Sequence, residues 1–223
     1  FVAVVLVSGS VGTLFYRTAA SALFDSLRAR LRYSAALLSR SIDATTLDGV
    51  DAAEDAASPV YLSVLANLRD FQASNRDVAY IYVMRREAGR VLFVVDSDAS
   101  PEQALPGHEY PSPPPTLLRG FDEQSADDEV TSDRWGYFLS GYAPLKNGGG
   151  RYVVGIDMRA DEVQQKFQAI RVAGLVSLAL SVVLAYLFSA WLASCITRPI
   201  RLFVGRAGEI AGGVLAGRGE VRT

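Results

Sequence analysis

Residues 172–197, VAGLVSLALSVVLAYLFSAWLASCIT, run for 26 positions without a charge. As a helix this stretch is roughly 39 Å long, at about 1.5 Å per residue. A bilayer core of about 30 Å needs about 20 apolar residues, so the segment spans it with some tilt. A soluble helix apolar on every face would need a far larger core than a 223-residue chain can build around it. A second uncharged stretch, FVAVVLVSGSVGTLFY at 1–16, is short for a span. The chain starts at Phe1 without an initiating Met, so this stretch reads as a truncated first span. The small residues TAASA at 18–22 also suit a signal-peptide cleavage region, although no charged segment precedes the apolar run.

Charge gives an orientation. Between 16 and 170 there are 16 Lys+Arg and 22 Asp+Glu, a net of −6, whereas 198–223 holds five Arg and two Glu, a net of +3. Short basic flanks stay in the cytoplasm, which places 198–223 inside and the acidic middle outside the membrane. The single cysteine, Cys195, falls in the second span, so the middle has no disulfide to rely on. An acidic domain of this kind, anchored in lipid, is no partner for nucleic acid.

The middle alternates between helical and strand patterns. Leu23, Leu27, Leu31, Ala35, Leu38 and Ile42 recur at three and four residues, which predicts a helix over about 17–42 whose stripe packs on its own domain or on a second copy. SPVYLSVLANLRDFQASN at 58–75 opens with Ser58 as N-cap and Pro59 at the first helical position. AYIYVMRR (79–86) and RVLFVVDS (90–97), joined by Glu87-Ala88-Gly89, predict a hairpin. A loop follows over 98–116, held extended by six prolines. GYFLSGYA (136–143) and RYVVGIDM (151–158) predict a second hairpin across KNGGG. The middle is therefore an α+β domain on an antiparallel sheet. After the second span, Ile200, Val204, Ala207, Ala211 and Val214 follow a short heptad pattern.

Taken in order, DVAYIYVMRR, FVVDSD, LPGHEY, SDRWGYFLSGYAPL and YVVGIDM, followed by TRPIRLFVGRAGEIAGG, resemble a bacterial transmembrane receptor. In such receptors a single Cache (PAS-like) extracytoplasmic domain precedes a HAMP linker. The resemblance implies a PAS-like antiparallel sheet with long N-terminal helices, two flanking transmembrane helices and a cytoplasmic HAMP helix. Its boundaries here are 1–16 for the truncated first span, 17–170 for the sensor domain, 171–197 for the second span and 198–223 for the start of HAMP. It implies a homodimer, and an output module (kinase, cyclase or phosphatase) that would follow the linker.

The same resemblance puts a ligand cavity between the sheet and the segment joining the hairpins. Strand alternation puts Tyr80 and Tyr82 on one face of the first strand and Arg85 on the other, Asp96 with Leu92 and Val94, and Phe138, Ser140 and Tyr142 together. Tyr82, Trp135 and Tyr142 are candidate walls, Arg85 a candidate partner for a carboxylate, and Asp96 or Asp98 for an ammonium. His108 and Tyr110 from LPGHEY complete the set. The bland alternatives are tyrosines in the core, aspartates capping the turn into the loop, and a loop histidine satisfied by its neighbours. Asp157, Arg159, Pro199 and Glu209 are the candidate signal-transmitting positions. No catalytic motif, cofactor loop or metal-ligand cluster is present, and the acidic run DDEV at 127–130 reads as a solvated face. A membrane-anchored protein-binding module is the rival; it would present a flat exposed aromatic patch and no closed cavity.

Overall fold

The computed structural model describes residues 2–197. It divides into a unit at Ala19–Ala169 and a second formed by the flanking stretches 2–18 and 170–197. The helices are α1 (Val2–Ser39), α2 (Pro59–Ser74), α3 (Pro115–Gly120) and α4 (Ala160–Leu192). The strands are β1 (Tyr80–Glu87), β2 (Arg90–Asp96), β3 (Ser125–Ala126), β4 (Thr131–Asp133), β5 (Gly136–Pro144) and β6 (Tyr152–Arg159). They form one antiparallel sheet in the order β2-β1-β6-β5-β3, with β4 also on β5. The α+β, antiparallel reading of the sequence holds for this unit.

Local chemistry accounts for the elements. Ser58 Oγ accepts from the Tyr61 amide at 3.2 Å, and Pro59 fills the first turn of α2, where its missing N–H costs nothing. The β1–β2 turn places Ala88 and Gly89 at φ of 48° and 79°, the two left-handed positions of a tight hairpin matched to strand twist. The proline-rich segment stays irregular but borders the sheet: Gly107 and Tyr110 amides donate to the carbonyls of Phe93 and Val91, both at about the ladder distance (2.9 and 2.8 Å). It therefore covers the free edge of β2.

One sheet face carries the main core. Leu27, Leu31, Ala35 and Leu38 of α1 and Tyr61, Leu65 and Leu68 of α2 pack on Ile81, Val83, Leu139, Val154 and Ile156. The α1 stripe thus packs on its own domain. Contact is close at Gly141, where a Cβ would sit 2.6 Å from the Leu31 carbonyl carbon, so the α1 backbone lies directly on β5. The opposite face, with Tyr82, Met84, Phe93, Tyr142 and Val153, is covered by Ala104, Leu117 and Phe121 from the β2–β5 connection. That connection also holds α3, β3 and β4, to which the sequence reading assigned no element.

Phe167–Cys195, most of which falls in the flanking unit, is long and apolar enough to cross a membrane, with a mean hydropathy of 2.2 and none of its apolar window buried. It is the one helix among the described residues that meets this test. Pro199 and Glu209, with the rest of 198–223, lie outside the described residues.

Candidate ligand-binding cavity

The second face of the sheet holds a cavity of about 30 Å³ lined by Tyr80, Tyr82, Met84, Phe93, Asp96, Asp98, Tyr110, Asp133, Trp135 and Asp157. Its floor is built by strand register. Tyr80 faces Asp157 and Tyr82 faces Gly155 across β1 and β6, so all four positions share one side of the sheet. Gly155 has no side chain, and the Tyr82 ring occupies the space: a Cβ there would fall 2.2 Å from Tyr82 Cε2. Laid over the glycine, the ring donates its hydroxyl to Asp157 Oδ1 at 2.9 Å.

The roof comes from loops. Tyr110 and Trp135 stack at 5.8 Å with 17° between their planes, and both meet Phe93 edge-on, at 5.9 and 5.3 Å. Asp133 fixes the pair, accepting from the Tyr110 hydroxyl at 3.0 Å and from the Trp135 amide at 2.9 Å. Outside this pair lies an open groove of about 490 Å³ lined by Tyr110, Pro111, Thr131, Asp133 and Trp135 among others. The stacked rings are the partition between the groove and the inner cavity.

The carboxylates are not equivalent. Asp96 accepts from the Asp98 and Ala104 amides, at 3.0 and 2.9 Å, and Asp98 from the amide and hydroxyl of Ser100. Both therefore cap turns into the loop as well as edging the cavity. Asp157 is 6% exposed and has no cationic partner among the described residues. Burial pushes its pKa up to about 8; hydrogen bonds from Ser140 and Tyr82 oppose the shift, and the negative charges of Asp133 and Asp127 add to it. Burial likewise raises the Tyr82 and Tyr110 hydroxyls, so both remain donors at neutral pH.

Several sequence-derived site residues lie elsewhere. Arg85 points to the helical side, pairing with Asp51 and, at 3.0 Å, with Glu87; it meets no cavity residue and cannot hold a ligand carboxylate there. Its Nε is buried without an acceptor, while Asp51 and Glu87 are about half exposed and can be rehydrated. Arg85→Met is accordingly expected to cost no more than about 1 kcal/mol, a few degrees in thermal unfolding, with ligand response unchanged. His108 sits outside the roof, accepting at Nε2 from Arg134 at 2.7 Å, while the Arg134 guanidinium lies 3.9 Å over the Trp135 ring. Burial, and then the Arg134 charge, lower the His108 pKa, which keeps it a neutral acceptor.

Ser140 and Tyr142 share the cavity's face but lie buried beyond it. The Tyr142 hydroxyl donates to Asp127, which also accepts from Thr116 and Thr131. Asp127 is fully buried, so it does not belong to a solvated acidic face; Asp128 and Glu129 are the exposed members, and Asp128 pairs with Arg28. Asp157 is a lining residue rather than only a link to the membrane. Arg159 donates to the Tyr80 hydroxyl at 3.3 Å on the same strand's outer end.

The departures from the sequence reading have physical causes. A bulge between Val83 and Met84 places Met84 opposite Phe93 and Tyr82 opposite Asp96. Asp96 therefore faces the cavity side with Phe93, not the side of Val94. Met84 and Phe93 were legible from alternation once Tyr82 was placed, since they share its face. Asp133 carried no signal, because its position depends on the path of an irregular segment.

No family model matches the sequence, and no curated protein matches it significantly. Among solved structures, the fold is similar to that of chemoreceptor ligand-binding domains. The ligand-binding domain of Campylobacter jejuni chemoreceptor Tlp3 in complex with 4-methylisoleucine aligns with a TM-score of 0.50 at 14% identity, over 73% of this chain and 62% of that one. The complex of the same domain with L-norvaline aligns with a TM-score of 0.50 at 13% identity, over 74% and 63%. The chain spans less than two thirds of those domains, and at this identity the likeness concerns the fold alone.

Proposed function

We propose that this chain is the sensing and membrane-crossing part of a receptor whose outer domain binds a small molecule in the inner cavity. The observation that carries the reading is a cavity floored by rigid strands and roofed by two loop aromatics. It sits in a fold similar to that of chemoreceptor ligand-binding domains. At about 30 Å³ it has room for a water molecule or two, whereas ligand sites run to about 300–1,000 Å³. Binding therefore requires the Tyr110–Trp135 roof to swing outward and merge the cavity with the groove.

Cavity and membrane helix are joined by a short path. β6 carries Asp157, ends at Arg159, and α4 begins at Ala160 without an intervening loop. In this reading Phe167–Cys195 crosses the inner membrane, the sensor unit is periplasmic, and the single-Cache, HAMP and homodimer features suggested by the sequence pass the signal to an output module. Coupling of about 1–3 kcal/mol between sites suffices to bias such an output. The protein-binding alternative fits less well, because the aromatics of the cavity region turn inward and only Tyr137 among them is strongly exposed.

Thermal unfolding of the full chain in detergent micelles, screened against a metabolite library, tests the reading. At least one small molecule is expected to raise the transition, and Trp135→Ala is expected to remove that shift. A library without a single stabilising compound would overturn it.

A further inference from the structure

The cavity lining contains four carboxylates (Asp96, Asp98, Asp133 and Asp157), five aromatic rings and one methionine, and no lysine, arginine or histidine. Three of the carboxylates are committed. Asp96 and Asp98 cap the loop turns, and both oxygens of Asp133 accept from Tyr110, Trp135 and Gly136. Asp157, buried on the strand floor, accepts from the neutral hydroxyls of Tyr82 and Ser140 rather than from turn amides, and has no counter-cation among the described residues. The cations near the site lie outside its lining. Arg134 lies over the outer face of the roof with His108, and Arg69 binds the Ser97 and Asp98 carbonyls from the α2 side. Arg159 comes nearest, exposed at the end of β6, where it donates to the hydroxyl of the lining Tyr80 at 3.3 Å and lies 5.6 Å over its ring.

This chemistry discriminates between ligand charges. A free carboxylate would enter among four carboxylates with no cation in the lining and only Arg159 at the rim, and like-charge contacts in a desolvated site are strongly unfavourable. A protonated amine would find the reverse: an acceptor on the floor and aromatic walls for its alkyl part. We propose that the inner cavity binds a small organic amine lacking a carboxylate, with its ammonium on Asp157 and its alkyl part against Tyr82, Phe93, Tyr110 and Trp135. The inference rests on the sensor reading above and narrows it to one ligand class. It also separates this chain from a receptor for α-amino acids, whose ligands carry both charges.

Three compounds of one carbon skeleton test it: isobutylamine (ammonium only), L-valine (both groups) and isovalerate (carboxylate only). Binding to the full chain in non-ionic micelles is measured by calorimetry and thermal shift at pH 8.5, in amine-free phosphate buffer with 0.3 M NaCl. Isobutylamine is expected to bind at least tenfold more tightly than L-valine, with isovalerate silent. Asp157→Asn is expected to weaken isobutylamine at least tenfold, and Trp135→Ala, at a partly exposed roof position, to weaken it independently of any effect on the floor. Equal or tighter binding of L-valine, binding of isovalerate, no binding of isobutylamine, or amine binding unchanged in both variants would each overturn the proposal. If another class from the metabolite library stabilises the protein and Trp135→Ala abolishes its effect, the sensor reading survives while the amine assignment falls. If no compound of any class binds, both fall.

Discussion

Gly155→Ala is expected to lower the thermal transition by about 2–12 °C and to eliminate the small-molecule binding proposed above. The added Cβ would lie 2.2 Å from Cε2, 2.5 Å from Cζ and 2.8 Å from the hydroxyl oxygen of Tyr82, well inside any tolerated contact. The ring has no free direction. Phe93 stands 5.8 Å away edge-on, the sheet lies beneath, and the space above is the cavity of about 30 Å³. Moving into that space fills the site and breaks the bond to Asp157. Overpacking of this sort costs about 1–3 kcal/mol, and for a domain of this size each kcal/mol is worth about 2–4 °C. A double-mutant cycle isolates the cause. In a Tyr82→Ala background the same glycine substitution should cost much less, because the atoms it strikes are gone. Additive effects of the two substitutions would show that Gly155 is needed for something other than seating the tyrosine.

This glycine also illustrates what a single sequence reveals. The hairpins, the capped helix α2 and the α1 stripe follow from local chemistry: turn glycines, an N-cap serine, and apolar residues at three- and four-residue spacing. Each rule acts over a few residues, so each could be applied without knowing the rest of the fold. Alternation then placed Tyr80 and Tyr82 together and Arg85 opposite, as found. It failed for Asp96 because strand counting assumes an unbroken period of two, and the bulge at Val83/Met84 inserts a residue that no side chain announces. Asp157 reads as one more polar residue in YVVGID; only its register against Tyr80 on β1 and Ser140 on β5 brings it into the cavity. Asp127 and Asp133 were hidden for a different reason. They lie on a connection stabilised by scattered side-chain bonds rather than by periodic burial, so pattern carries no information about its path. The acidic run looked solvated because composition cannot show that Thr116, Thr131 and Tyr142 converge on one of its members.

Asp157 should also make the protein less stable as pH rises towards 8, opposite to the behaviour of a carboxylate held in an ion pair. An aspartate in the unfolded chain titrates near 3.8, whereas in the folded protein burial raises Asp157 to about 8. Between these values the native state holds a proton that the unfolded state has released. Stability therefore falls with increasing pH through this window and levels off above it. One such proton corresponds to a slope of about 1.4 kcal/mol per pH unit, roughly 3–5 °C per unit here. Asp96 and Asp127, also raised chiefly by burial, act in the same direction. The lowered carboxylates, Asp43 and Asp55, act oppositely, but only as pH falls below about 4. Thermal unfolding between pH 5 and 9 in amine-free buffers measures the slope. Asp157→Asn, a neutral side chain of the same shape that can still accept from Tyr82, should flatten it and leave the variant the more stable protein at pH 8. Parallel slopes for wild type and variant would mean that another group holds the proton. Amine affinity follows the same titration with the opposite sign. A cation requires the ionised carboxylate, so isobutylamine binding should strengthen as pH passes 8, and weaken again near 10, where alkylamines lose their own proton.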